Sequence, residues 1–223
     1  SADVRYGDLE AIAQVQGVKA VYLVPQYEVC QTEPGETVAP NTISAGTMVG
    51  SYDTWAEGYT GAGSRIAVID TGLDTDHPSF DPNAFDYSLM VTATKNGKEV
   101  SDYGLLTEEE IEKVLPQLNA FENDNTLTGK QLYRSTKLGY GYNYVDGNLN
   151  VTHDLDSQGY HGTHVSGIAT ANRYVPVSTE YGEVFAYAAN GVVGIAPDAQ
   201  ILTMKVFGAT GGAYADDYIA AIE

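Results

Sequence analysis

The stretch Arg65-Ile66-Ala67-Val68-Ile69-Asp70-Thr71-Gly72 decides the fold. An unbroken apolar run, mostly β-branched, is approached through Gly61 and Gly63 and closed by a carboxylate. That pattern predicts a parallel strand buried on both faces. Gln200-Ile201-Leu202-Thr203-Met204-Lys205-Val206 is a second run of the same kind. Helices are predicted after Gly162, with Val165, Ile168 and Ala169 on one face, and after Gly212, with Tyr214, Tyr218, Ile219 and Ile222. Strands alternating with helices give an α/β domain with a parallel sheet.

Working outward, Asp8 to Ala13 reads as a short helix with acidic residues at its start, interrupted at Gly17. Val18, Val21, Leu23 and Val24 predict a strand ending at Pro25. The polar, aperiodic stretch Gln31 to Asn41 reads as a linker, and a domain boundary is placed there. Between Asp70 and Gly162 lies a long interval rich in Tyr and Asn. Inside it, Thr107 to Glu110 forms a capping-box pattern, followed by Ile111, Val114, Leu115 and Leu118, with Pro116 set to shorten the helix. This reads as an inserted surface helix rather than a partner-binding one.

The 223 residues suffice for one full-sized domain, and 43% hydrophobic against 18% charged residues argues against extended disorder. With 11 Lys+Arg against 30 Asp+Glu, the formal charge of −19 repels phosphate and anionic lipid. No nucleic-acid partner is therefore expected. No apolar run approaches the roughly 20 residues of a membrane helix, so no membrane insertion is expected. The single cysteine, Cys30, cannot form an internal disulfide. The N-terminus carries no basic segment followed by an apolar one, so any export signal would already have been removed.

Two islands carry chemistry. Asp70 ends a strand, where open α/β sheets bind ligands, although an Asp there could equally cap the following turn. In Gly159-Tyr160-His161-Gly162-Thr163-His164-Val165-Ser166-Gly167, His161 stands before a helix between small residues, with room to face a cleft. His164 lies about one turn later and reads as a packed, hydrogen-bonded helix residue. The spacing of three, with no adjacent Glu, does not fit the zinc-peptidase pattern. A metallohydrolase using His161, His164 and nearby carboxylates is the weakest option. Asp154 to Gly159 begins like a calcium loop but has Val165 at its twelfth position. Asp146 to Val151 lacks the sixth-position Gly, and Asp74 and Asp76 run into Pro78. All three read as solvated turns.

Together these islands resemble the subtilisin-like serine peptidases, the subtilases. Ala67 to Gly72, with His77-Pro78 after it, resembles the family's Asp motif. His161 to Gly167 resembles its His motif, and Gly194 to Ala199 followed by Met204-Lys205-Val206 resembles the stretch after the His helix. The resemblance covers about Asp53 to Glu223. The long separation of Asp70 from His161, with the inserted helix, is more similar to the cell-envelope group of lactocepins and C5a peptidases. Gly17 to Tyr22 is similar to the end of the propeptide that chaperones and inhibits these enzymes, with an ordinary strand as the alternative.

The resemblance implies a subtilisin-like parallel sheet with helices on both faces, incomplete in this chain, preceded by the end of a propeptide-like α+β segment. It divides the chain into a propeptide remnant (1–31), a linker or N-terminal arm (32–52) and the N-terminal part of a catalytic domain (53–223), with an insertion at about 86–150. It implies a serine endopeptidase in which Asp70 orients His161 and His161 takes the proton of a serine. Gly211, Gly212 and Ala213 would bind substrate as an added β-strand, although a flexible turn before a helix explains them nearly as well. No Gly-Thr-Ser-Met or Gly-Thr-Ser-Ala motif occurs, and the oxyanion Asn is unaccounted for. A companion polypeptide carrying both is therefore expected, acting on protein or peptide substrates. The chain alone is expected neither to hydrolyse peptides nor to be stable. No cofactor is required, and calcium finds no matching site, since Ser79 stands where one strong site expects Asp and the short Asn-bearing loop before Gly191 is not recognisable. The implied location is secreted or cell-envelope, in a bacterium. The alternative is a non-catalytic, subtilase-derived binding module.

Overall fold

The computed structural model describes residues 4–28, 42–153, 156–157, 159–188 and 191–223. In chain order it contains helix α1 (Leu9–Ala13), strand β1 (Gln26–Glu28), helices α2 (Thr42–Met48) and α3 (Ser51–Ala56), and strand β2 (Arg65–Asp70). Helices α4 (Pro82–Asn96), α5 (Glu108–Val114), α6 (Asn119–Asn123) and α7 (Gly129–Leu132) then lead to strand β3 (Leu138–Asn143). Helix α8 (His161–Thr170), the hairpin β4 (Tyr174–Thr179) and β5 (Gly182–Tyr187), strands β6 (Gln200–Lys205) and β7 (Gly212–Tyr214), and helix α9 (Ala215–Ile222) complete it.

The central sheet has the order β2-β6-β3 and is parallel throughout. β2 and β6 pair without a break from Arg65 opposite Gln200 to Asp70 opposite Lys205. The apolar alternation serves both faces. Ile66, Val68, Leu138 and Ile201 pack with Leu73 and Phe80 on one. Ile69, Leu202, Met204, Tyr140 and Tyr142 meet Ile111, Leu115, Leu132, Phe207 and Ala221 on the other. This is the expected α/β arrangement with a parallel sheet. Along its outer edge β2 has no partner strand among the described residues.

Buried polar groups brace the frame. Lys137 is fully buried, and its ammonium donates to the carbonyls of Thr170, Pro197 and Ala199 at 2.6, 2.9 and 3.0 Å. It thereby satisfies a terminal carbonyl of α8. Asp198 accepts from Ser88, Thr92 and Arg173 at 2.5, 2.6 and 2.8 Å, which ties α4 to the loop before β6.

Several local expectations change. The predicted strand over Val18 to Val24 is absent, and the strand begins after Pro25. Val18 to Val24 find no neighbouring strand among the described residues, whereas Gln26 to Glu28 pair antiparallel with β7. The interval that reads as an insertion contains β3, a wholly buried strand of the central sheet. The capping box of α5 forms as read, and Pro116 confines the end of that helix to a 3-10 turn. Val114, assigned to its apolar face, is exposed instead. The apolar face predicted for α8 also points outward, with Ile168 61% exposed, because the inner side is made of Gly162, Ser166 and Thr170. In α9, Ala221 is buried while Ile219 and Ile222 face out.

Candidate active site

The carboxyl end of β2 delivers Asp70, and the amino end of α8 delivers His161. Their contact is direct: His161 Nδ1 lies 2.8 Å from Asp70 Oδ1 and 3.0 Å from Oδ2. The Asp70 side chain is 14% exposed and that of His161 41%, so the carboxylate is held inside while the imidazole reaches the surface. The Thr71 N–H also donates to Asp70 Oδ1, at 2.7 Å. A carboxylate bonded at Nδ1 keeps the proton of a neutral imidazole on that nitrogen and leaves Nε2 free to accept one.

The loop after β2 is fitted to the first turn of α8. The Tyr160 side chain does not cap that helix. Thr71 Oγ1 instead accepts from the Gly162 N–H at 2.9 Å, satisfying one of the donors a helix start leaves open. One turn on, Thr163 Oγ1 accepts from the Asp74 N–H at 2.8 Å and shares a 2.6 Å hydrogen bond with His153 Nε2. His153 also packs edge-on against Tyr160. A Cβ on Gly162 would run into the Gly72 carbonyl oxygen, so glycine is what allows this approach. Gly72 itself sits at φ 111°, a conformation that favours glycine.

Gly211, Gly212 and Ala213 follow β6 in the chain. Gly212 and Ala213 belong to β7, and Gly211 closes the turn before it through an N–H bond to the Gly208 carbonyl at 2.9 Å. The segment is thus not just a turn before a helix. β1 lies antiparallel along it, with Gln26 opposite Tyr214, Tyr27 opposite Ala213 and Glu28 opposite Gly212. Tyr27 meets Tyr218 edge-on with ring centroids 5.8 Å apart, and Tyr218 meets Phe207 at 5.9 Å. Below this edge, burial and the neighbouring Asp216 push the Asp217 carboxyl up to about 6.

His164 is exposed, which corrects the reading of it as a packed helix residue. Among the described residues, no three His, Cys, Asp or Glu side chains converge as a metal site. The loop from Asp146 uses its polar side chains internally. Asn143 bonds Asp146 and the Asn150 carbonyl, Asn148 accepts from the Asn150 N–H, and Asn150 accepts from Thr152. Asp74 likewise accepts from the Asp76 N–H. Asp154, Cys30, the linker Gln31 to Asn41 and the Asn190 loop lie outside the described residues.

This arrangement coincides with a sequence match to the Subtilase family over residues 61–223, well over half of the chain. The chain belongs to the subtilase family. It is 32% identical over 209 residues to the PII-type proteinase of Lacticaseibacillus paracasei and to the PIII-type proteinase of Lactococcus lactis subsp. cremoris. Each match covers 93% of this chain and 8% of the relative. The Minor extracellular protease Vpr of Bacillus subtilis is 25% identical over 223 residues, covering 97% of this chain and 20% of that protein. The subtilase chain therefore spans only a small part of the length of these relatives, and the lactocepin-like resemblance read from the sequence agrees with them. Within this subtilase, no helix among the described residues is long and apolar enough to cross a membrane.

Sequence reading missed Thr71, Thr163 and His153 as parts of the corner. Thr71 and Thr163 were quoted only as motif residues. A small hydroxyl beside each functional residue was the available signal, because such a side chain can cap a neighbouring segment.

Proposed function

We propose that this chain supplies the Asp and His of an Asp-His-Ser serine endopeptidase, with the nucleophilic serine and the oxyanion Asn coming from a companion polypeptide. The Asp70–His161 hydrogen bond is the observation that carries this reading. Asp70 fixes the proton of His161 on Nδ1 and stabilises the imidazolium. His161 Nε2 takes the serine proton as the hydroxyl attacks a peptide carbonyl, then gives it to the leaving amine. Among the described residues no serine hydroxyl is bonded to His161. The unpaired edge of β2 and the outward apolar side of α8 offer a surface for further polypeptide.

Substrate, a protein or peptide, docks as an antiparallel strand on Gly211, Gly212 and Ala213. The antiparallel pairing of β1 with Gly212 and Ala213 supports that reading. Residues 1–31 then act as a propeptide remnant that competes for the same edge. Relatives that are bacterial, one of them named extracellular, support a secreted or cell-envelope location.

The test is a fluorophosphonate probe applied to this chain together with its companion polypeptide, followed by mapping of the labelled peptide. One labelled serine outside residues 1–223 supports the triad. Absence of any labelled serine in folded protein would favour the non-catalytic binding module.

A further inference from the structure

Lys205 ends β6, in register with Asp70 on one side and Asn143 on the other. Its side chain is 2% exposed, an expensive place for an ammonium. It has two acceptors. It donates to the Thr71 carbonyl at 2.6 Å and forms an ion pair with Asp156, whose side chain is 8% exposed.

The two acceptors belong to different segments. Thr71 follows Asp70 directly, and Asp156 stands five positions ahead of His161. The Asp156 segment is anchored again by Ser157, whose N–H and hydroxyl both reach the Ala209 carbonyl, at 2.8 and 3.0 Å. One buried cation thus joins the strand end that presents the carboxylate to the loop that presents the imidazole.

We propose that Lys205 and Asp156 are positioning residues for the Asp70–His161 pair, acting as a brace between the two segments and as a neutral pair that leaves the charge balance at His161 undisturbed. The proposal rests on the reading of His161 as the catalytic base. Geometry alone would be served by any well-packed contact, because breaking a buried ion pair is costly while replacing both partners often is not. The ionic choice has a second consequence. Each member shields His161 from the charge of the other. The groups that face this corner are Asp70 on β2, Asp156 and His153 on the loop before α8, Lys205 on β6, and Tyr218 on α9, which feels the Asp70 charge.

The experiment compares full-length wild type with Lys205→Met, Asp156→Asn and the double variant. It follows the His161 imidazole resonances by NMR across pH, alongside the acidic limb of kcat/KM. Lys205→Met removes a positive charge near the imidazolium while the Asp156 carboxylate stays, so the His161 midpoint rises by about half a pH unit or more. Asp156→Asn leaves an unpaired ammonium and lowers it by about as much. The double variant returns close to the wild-type midpoint, while all three lose on the order of tenfold in kcat through the weakened brace. Midpoints that coincide in folded variants, or that move the same way in both single variants, overturn the proposal. If Lys205→Met does not fold, Asp156→Asn and Lys205→Arg decide, because Arg keeps the charge and must leave the midpoint in place. The NMR titration reads out whether or not the protein hydrolyses peptides. Failure of fluorophosphonate labelling therefore sinks the triad reading, and an unmoved His161 midpoint sinks this one.

Discussion

Around Asp70 and His161, hydrogen bonds from Thr71 and Asp74 tie the β2 loop to the start of α8. Thr71 caps Gly162, Asp74 reaches Thr163, and the two glycine backbones meet where no Cβ fits. At β7 the chain offers three residues to three of β1, on a strand exposed along one side. The first region has one arrangement and holds it. The second is an edge of backbone donors and acceptors that any extended peptide can use. The difference matches the two duties proposed above: groups that transfer protons must keep their separation, whereas a surface that binds and releases chains must not bind one of them permanently.

The largest expected effect comes from breaking the first region at its centre. His161→Ala in the full-length enzyme should lower kcat by roughly three or more orders of magnitude, with a much smaller change in KM, measured on an unstructured protein substrate. Gly162→Ala should come next. The added methyl group must push α8 off the Gly72 carbonyl, so kcat should fall on the order of a hundredfold even though both reacting side chains remain. An unchanged rate would show that the close approach is incidental.

The second region should answer in KM. On Gly212 even a Cβ would meet the Gln26 side chain in the paired strand. Gly212→Val should raise KM about tenfold and leave kcat within about threefold. A fall in kcat alone would merge the two regions. A smaller effect is expected from Asp217, which sits in the first turn of α9 beside the edge. Its folded pKa of about 6 lies above its ordinary value of 3.8, so its favourable contribution is fully present below 3.8 and is lost as pH rises through about 6. The urea midpoint should therefore gain less from acidification between about pH 8 and about pH 5 in Asp217→Asn than in wild type. The smallest effect is that of His164→Ala, expected within about 0.5 kcal/mol of wild-type stability because the ring is exposed.

The sheet and the Asp70–His161 contact were legible because both are written locally. β2 is a continuous apolar run, and its carboxylate and the imidazole sit in short motifs with small neighbours. β3 escaped because Leu138-Gly139-Tyr140-Gly141-Tyr142-Asn143 alternates glycine with tyrosine, and its burial depends on partners far away in the chain. The hairpin of β4 and β5 escaped although Tyr174 to Tyr187 carries alternating strand residues around Gly182. The facing of α8 was misjudged because hydrophobicity predicts which side is buried only where packing is loose. Here the inner side is chosen by how closely Gly162 can approach Gly72, and Val165 and Ile168 turn outward. The strand over Val18 to Val24 had the right residues and, among the described residues, no neighbour to pair with. Lys205 was visible only as part of a motif, since nothing local announces that a lysine at a strand end will be buried against Asp156.

In a crystal structure of this chain assembled with its companion polypeptide, the deciding quantity is the distance from His161 Nε2 to the nearest serine hydroxyl. One serine Oγ should lie within about 3.2 Å, with Asp70 still bonded at Nδ1. A His161 ring that faces no hydroxyl, or one turned away from Asp70, would contradict the Asp-His-Ser reading.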